Sequence, residues 1–187
     1  MSFLEKLMLS KQIKFEDGQT EILKQRVIFV PSDFLGEYTF EILREPELVK
    51  LIYFTLKQGV NNFGEQIMRT YGSTITDYSK LLRDLSDLAG WGKTTYESLN
   101  IEQGSATLII ENSPVSSYLK GRVNLPCDHI SRGVIAGIAS IALKKDLDVL
   151  EIECIATGNK ACKMVLDSKD KLKSNFPRFY KMQFGSE

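Results

Sequence analysis

The chain has 187 residues, with 24 Lys and Arg against 24 Asp and Glu, so its formal charge is zero. That length suits one ordinary domain with a real core. Balanced charge excludes a global field that would draw the chain to nucleic acid or acidic membrane. The start, Met1-Ser2-Phe3-Leu4-Glu5-Lys6, is charged too early for a secretory signal, and no stretch approaches the roughly 18 apolar residues of a membrane span. The expected location is therefore cytoplasmic, where three cysteines read as thiols or metal ligands rather than a disulfide framework.

In chain order, 12–16 and 20–30 read as two strands around the Asp17-Gly18 turn. Pro31 ends the second, and Ser32-Asp33 offers an N-cap for a helix to about Arg44. Pro46 suits the first turn of a longer helix over 47–71, in which Leu48, Leu51, Ile52, Leu56, Val60, Phe63 and Ile67 recur at helical spacing. Another helix spans about 75–89 and stops at Gly90-Trp91-Gly92. The period then changes. Strands are expected over 94–99 and 106–111, with a turn near Gln103-Gly104, then a short helix over 115–120. Asp128 is placed to cap a helix running to Leu143, and strands over 147–156 and 161–166 flank the turn 157–160.

Short turns make adjacent strands antiparallel, so the reading is α+β: a helical layer packed on a twisted antiparallel sheet in one domain over 1–187. Its parts are a hairpin (1–30), the helical layer (32–90), strands with one helix and the cysteines (93–167), and a tail (168–187). The segment 160–181 is rich in lysine and reads as a solvated end, or more sharply as an anchor for an acidic partner.

Cys154 and Cys162 lie at the two ends of a hairpin turn, so both sulfurs can face one point. Cys127 precedes a helix, where a loop can reach the sheet. Glu151 is three residues before Cys154, and strict alternation puts these two on opposite faces unless a bulge or strand end intervenes. Asp128 and His129, the latter the single histidine, are the substitutes. Spacing alone leaves two readings open: a zinc site, or three buried thiols packing as small apolar groups.

The stretch 81–167 resembles the 4-vinyl reductase domain family. The resemblance is carried by 85–92 (LSDLAGWG), by Glu111-Asn112-Ser113-Pro114, by Cys127 followed by 133–137 (GVIAG), and by 151–162 (EIECIATGNKAC). It implies the fold shared by trafficking-complex subunits and heme-based nitric oxide sensors. It also implies zinc held at Cys127, Glu151, Cys154 and Cys162, a closed and therefore structural site, with Lys160, Lys163 and His129 as charge-compensating neighbours.

The same resemblance implies an apolar cavity for a small molecule. Phe63, Met68, Tyr71 and Trp91 are the candidate ligand-binding residues. The chain departs from the family's aromatic sensors, whose phenol-catching histidine and tryptophan have no counterpart at the expected positions, so an apolar or lipid-like ligand fits as well as a phenol. Gly133 and Gly137 lie one turn apart on a helix; they read as close packing within the domain or, as relatives pair, as a homodimer face.

The functional expectation is a stand-alone sensor or carrier that passes its output to a separate effector protein. The alternatives are a protein-interaction subunit and a reductase-type enzyme. No Gly-rich nucleotide loop, Ser/His/Asp set or open metal position supports catalysis, and no basic helix supports DNA binding.

Overall fold

The computed structural model describes residues 5, 8–71 and 75–185, and their side chains except 61–63, 66–71, 75–79, 81 and 82. The chain opens with three short antiparallel strands, β1 (Ile13–Glu16), β2 (Gln19–Ile22) and β3 (Gln25–Val27). The second expected strand is thus two strands. Leu23 and Lys24 both take positive φ (55° and 64°) and make a second tight turn. Neither residue type advertises a turn. Leu23 tolerates the conformation because its side chain is buried at 2% exposure.

Helices α1 (Ser32–Ile42), α2 (Pro46–Tyr71) and α3 (Ile75–Leu88) follow. The main sheet has four strands: β4 (Lys93–Asn100), β5 (Ser105–Glu111), β6 (Asp148–Glu153) and β7 (Cys162–Asp167), in the order β4-β5-β7-β6 and antiparallel throughout. Between β5 and β6 lie α4 (Pro114–Tyr118) and α5 (His129–Leu143). Alternation on β5 buries Ala106, Leu108 and Ile110, and on β7 it buries Cys162, Met164 and Leu166. These residues pair across the strands as Ala106–Leu166, Leu108–Met164 and Ile110–Cys162. Directly opposed residues share a face, so all six stand on the inner face of the sheet.

Helix α2 is held against α5 by close backbone approach. A Cβ at Gly133 would stand 2.6 Å from the Tyr53 carbonyl oxygen, and one at Gly137 would run into the Lys57 carbonyl and Val60 Cγ2. The two glycines are therefore consumed by packing inside the chain and are not free to form a dimer face.

The tail is the main correction. Instead of a solvated end, 168–185 forms α6 (Lys169–Asn175) and α7 (Pro177–Phe184), which bury Leu172, Tyr180, Gln183 and Phe184. The lysines stay outward while these four residues turn in. The Gln183 amide accepts from Glu151 N–H (3.0 Å) and donates to the Glu151 carbonyl (2.7 Å). Tyr53 Oη accepts from Val149 N–H (3.1 Å), and Arg132 Nε donates to the Val149 carbonyl (3.0 Å). Side chains thus occupy the outer edge of β6, where an edge strand would otherwise leave backbone groups open.

Candidate metal centre and cavity

β6 does not alternate strictly. Glu151 pairs with Met164 and Glu153 with Lys163, so the register shifts around Ile152. This bulge removes the objection that alternation raised against Glu151 and Cys154 sharing a side. Cys154 lies just past the strand in extended conformation, before a single 3-10 turn over Ile155–Thr157. Cys162 begins β7. The ligand atoms of Glu151, Cys154 and Cys162 lie within 4.8 Å of one another, all three residues buried.

Cys127 comes to the same place from the loop before α5, with its Sγ 3.7 Å from Cys154 Sγ. Two sulfurs on one tetrahedral zinc would stand about 3.8 Å apart, the edge given by Zn–S bonds of about 2.3 Å. A disulfide would need about 2.05 Å. Among the described residues, all three cysteines are free thiols.

Hydrogen bonds frame the group. Ser116 Oγ lies 3.4 Å from both Cys127 Sγ and Cys154 Sγ. Ile155 N–H donates to Cys162 Sγ (3.4 Å), and Asp128 N–H donates to Glu151 Oε2 (2.9 Å). Glu151 Oε1 is buried and has no partner among the described residues. A buried carboxylate oxygen left unpaired is costly, and a cation beside it supplies what is missing. The donor set, the sulfur spacing and this orphan oxygen together fit zinc.

The substitutes fit less well. The Asp128 carboxylate is taken up by hydroxyls, accepting from Ser113 (2.6 Å), Ser116 (2.9 Å) and Ser131 (3.3 Å). Neither Asp128 nor His129 belongs to the group of converging ligand atoms among the described residues. The His129 pKa is lowered to about 4, first by burial and then by the charge of Arg132.

Electrostatics in the cluster follow from crowding several acids in one buried place. Burial, then the nearby Asp128, drives the Glu151 carboxyl well above its usual range. Hydrogen bonds from Cys127 and then Cys162 hold the Cys154 thiol far below its ordinary pKa, while the thiols of Cys127 and Cys162 are pushed up, in each case first by the hydrogen bond to Cys154. One negative charge is thus shared among protonated neighbours. A dication would allow all of them to ionise.

The neighbouring cations differ from those expected. Lys160 is exposed, and Lys163 turns away to Glu97 at 2.7 Å. The positive charge beside the cluster is Arg132, buried and stacked between the rings of Tyr53 (4.8 Å) and Phe184 (4.9 Å). Ser116 and Arg132 carried no sequence signal, because only the tertiary fold brings them here.

On the same inner face lies a cavity of about 350 Å³. Its floor is Ala106, Leu108 and Ile110 of β5 and Leu166 of β7; α5 and α3 form walls, and Ile22 and Val27 reach its rim. Ile110 lines the cavity and pairs directly with Cys162, so the thiol cluster sits at the end of the cavity floor. Ser131 also lines the cavity and donates to Asp128 (3.3 Å), which adjoins the cluster.

Residues 107–168 match the family model of the 4-vinyl reductase domain. The chain carries a domain of this family over these residues. All four expected zinc ligands fall inside that segment, whereas Trp91 precedes it. The phenol-responsive sensory domain of the transcription activator PoxR, solved with phenol, is similar at TM-score 0.76 and 15% identity, over 95% of this chain and 97% of that one. This likeness shows the fold. A vinyl-4-reductase family protein from Methanocaldococcus jannaschii gives TM-score 0.47 at 15% identity over 72% of this chain and 94% of that one. A trafficking protein particle complex subunit 3 from Naegleria fowleri, covalently bound to palmitic acid, gives 0.43 at 14% identity over 73% and 93%. In sequence, an uncharacterized protein of M. jannaschii is 25% identical over 114 residues, 60% of this chain and 65% of that protein, less than two thirds of its length.

Of the four expected ligand-binding residues, Trp91 lines the cavity. It stands on a loop that glycine makes possible: Gly92 has φ 99°, and a Cβ there would lie 2.5 Å from the Glu111 carbonyl oxygen. The side chains of Phe63, Met68 and Tyr71 lie outside the described residues. The cavity lining reads instead from α5 and the sheet, where Val134, Ile135 and Ile138 had looked like ordinary core. Among the described residues, no helix is long and apolar enough to cross a membrane.

Proposed function

We propose that this chain is a small-molecule-binding domain, a sensor or carrier, that takes an apolar or lipid-like ligand into the cavity between α5 and the sheet. The observation that carries the proposal is the cavity itself, about 350 Å³ and walled almost wholly by aliphatic and aromatic side chains with a few polar groups among them. Ligand pockets have this composition and a volume upward of about 300 Å³. The whole-chain likeness to a phenol-responsive sensory domain supports the same reading.

In this reading zinc binds Cys127, Glu151, Cys154 and Cys162 and acts as a structural tie between the loop before α5 and the last hairpin. With all four positions filled by protein there is no open place for water or substrate. The expected homodimer draws support from a different surface than the glycines: Ile28, Phe29 and Phe34 are 79%, 76% and 65% exposed in consecutive elements. That same surface favours the second reading, an interaction subunit that pairs with another protein.

The test is native mass spectrometry of the purified full chain, with thermal-shift screening against small apolar compounds. A bound organic mass, or saturable stabilisation by one compound class, is the expected result. A cavity that yields no ligand and admits none overturns the proposal.

A further inference from the structure

Resting on the reading of the cavity as a ligand site, we infer that its ligand is an apolar molecule ending in a carboxylate, and that Arg83 is the residue that reads this head group. Arg83 lines the cavity from α3. Among the 23 described lining residues it is the one cation, and none is Asp or Glu. Its Nε is buried and has no hydrogen-bond partner among the described residues. Its guanidinium lies 5.4 Å from the centroid of the Tyr96 ring, also part of the lining. An aromatic face holds a guanidinium in place but accepts none of its N–H donors in the plane.

A guanidinium against an apolar cavity, with a buried donor unmet, is an expensive arrangement for a pocket filled by hydrocarbon alone. An anionic oxygen supplies the missing acceptor and neutralises the charge. The planar fork of arginine matches a carboxylate through two parallel N–H···O bonds. Ser86, Ser131 and Thr94 add hydroxyls to an otherwise aliphatic lining. The rest of the ligand must therefore be hydrocarbon, lying over Leu108, Ile110, Ile135 and Ile138.

The experiment titrates the full chain with decanoate, 1-decanol and decyltrimethylammonium at neutral pH, by calorimetry and by tryptophan emission. Trp91 is the single tryptophan and lines the cavity, so its emission reads occupancy directly. The expected order is decanoate over decanol by about ten- to hundredfold, the range for one hydrogen bond to a charged partner, with the cation weakest. Arg83→Met should bring decanoate down to the level of decanol. Arg83→Lys, which keeps the charge and loses the fork, should retain part of the preference. Circular dichroism confirms that both variants fold. Equal binding of decanoate and decanol overturns the inference while leaving the cavity reading intact. A preference that survives in Arg83→Met overturns the role of Arg83. No saturable change with any of the three probes counts against the cavity reading itself.

Discussion

Gly137→Ala separates two effects of opposite sign. In an exposed helix interior, replacing glycine by alanine stabilises by about 1 kcal/mol. At position 137 the new methyl would meet the Lys57 carbonyl and Val60 Cγ2 across the α2–α5 contact. A backbone carbonyl inside a helix cannot rotate aside, so the helices must separate. Overpacking of that kind costs about 1–3 kcal/mol, which outweighs the propensity gain. The net expectation is a loss of roughly 1–2 kcal/mol, or about 2–8 °C in Tm at the 2–4 °C per kcal/mol usual for a domain of this size. Gly59→Ala is the internal control. Gly59 is an exposed position of α2, and nothing lies within 4 Å of an added Cβ. It should raise Tm by about 2–4 °C from the same propensity term. Thermal melts by circular dichroism, with urea titration of both variants, read the two signs. Stabilisation by Gly137→Ala comparable to that of Gly59→Ala would refute the close-packing account. A change in oligomeric state without a change in stability would return Gly137 to a dimer face.

Cys162→Ser should reduce zinc from about one per chain to well below it, measured by elemental analysis after gel filtration. Since metal binding is in part folding energy, a strong chelator should lower the Tm of the parent protein and leave that of the variant nearly unmoved. Gln183→Ala removes both partners of the Glu151 backbone, and a buried backbone group left unmet costs about 1–3 kcal/mol; urea unfolding should show a clear loss, and an unchanged midpoint would mean that α7 does not guard the β6 edge. Phe29→Glu with Ile28→Glu should shift the chain toward monomer in sedimentation at matched concentration, and an unchanged mass would remove this surface from the dimer proposal.

Much of this architecture was legible because local chemistry and tertiary packing agree. Pro46 opens α2, Gly90-Trp91-Gly92 closes α3, and the alternation over 105–111 and 162–167 marks the two central strands. Where they disagree, the reading failed. Leu23-Lys24 turns the chain with no turn residue, because burial of Leu23 compensates for its positive φ. The lysines of 168–185 suggested solvent, but Leu172, Tyr180 and Phe184 recur on the inward side of two short helices and decide the outcome. At the cluster, the three cysteines and Glu151 were visible as residues, and the need for a bulge near Ile152 followed from strand geometry. Ser116, Arg132 and Gln183 were not visible, since each reaches its partner across 11 to 38 residues of chain by way of the fold. Arg83 was hidden for another reason: an arginine on an amphipathic helix looks like a solvated charge until the cavity beside it is seen.

The account turns on the cavity as a ligand site, and the most direct measurement is the titration of Trp91 emission in the parent chain beside Ala106→Phe. Ala106 lies on the cavity floor at 4% exposure, so a phenyl group there fills the space a ligand needs. The account predicts saturable binding of one ligand per chain in the parent, abolished in the variant while its zinc content is retained. Binding that persists unchanged in Ala106→Phe, or no saturable binding in the parent, would contradict it.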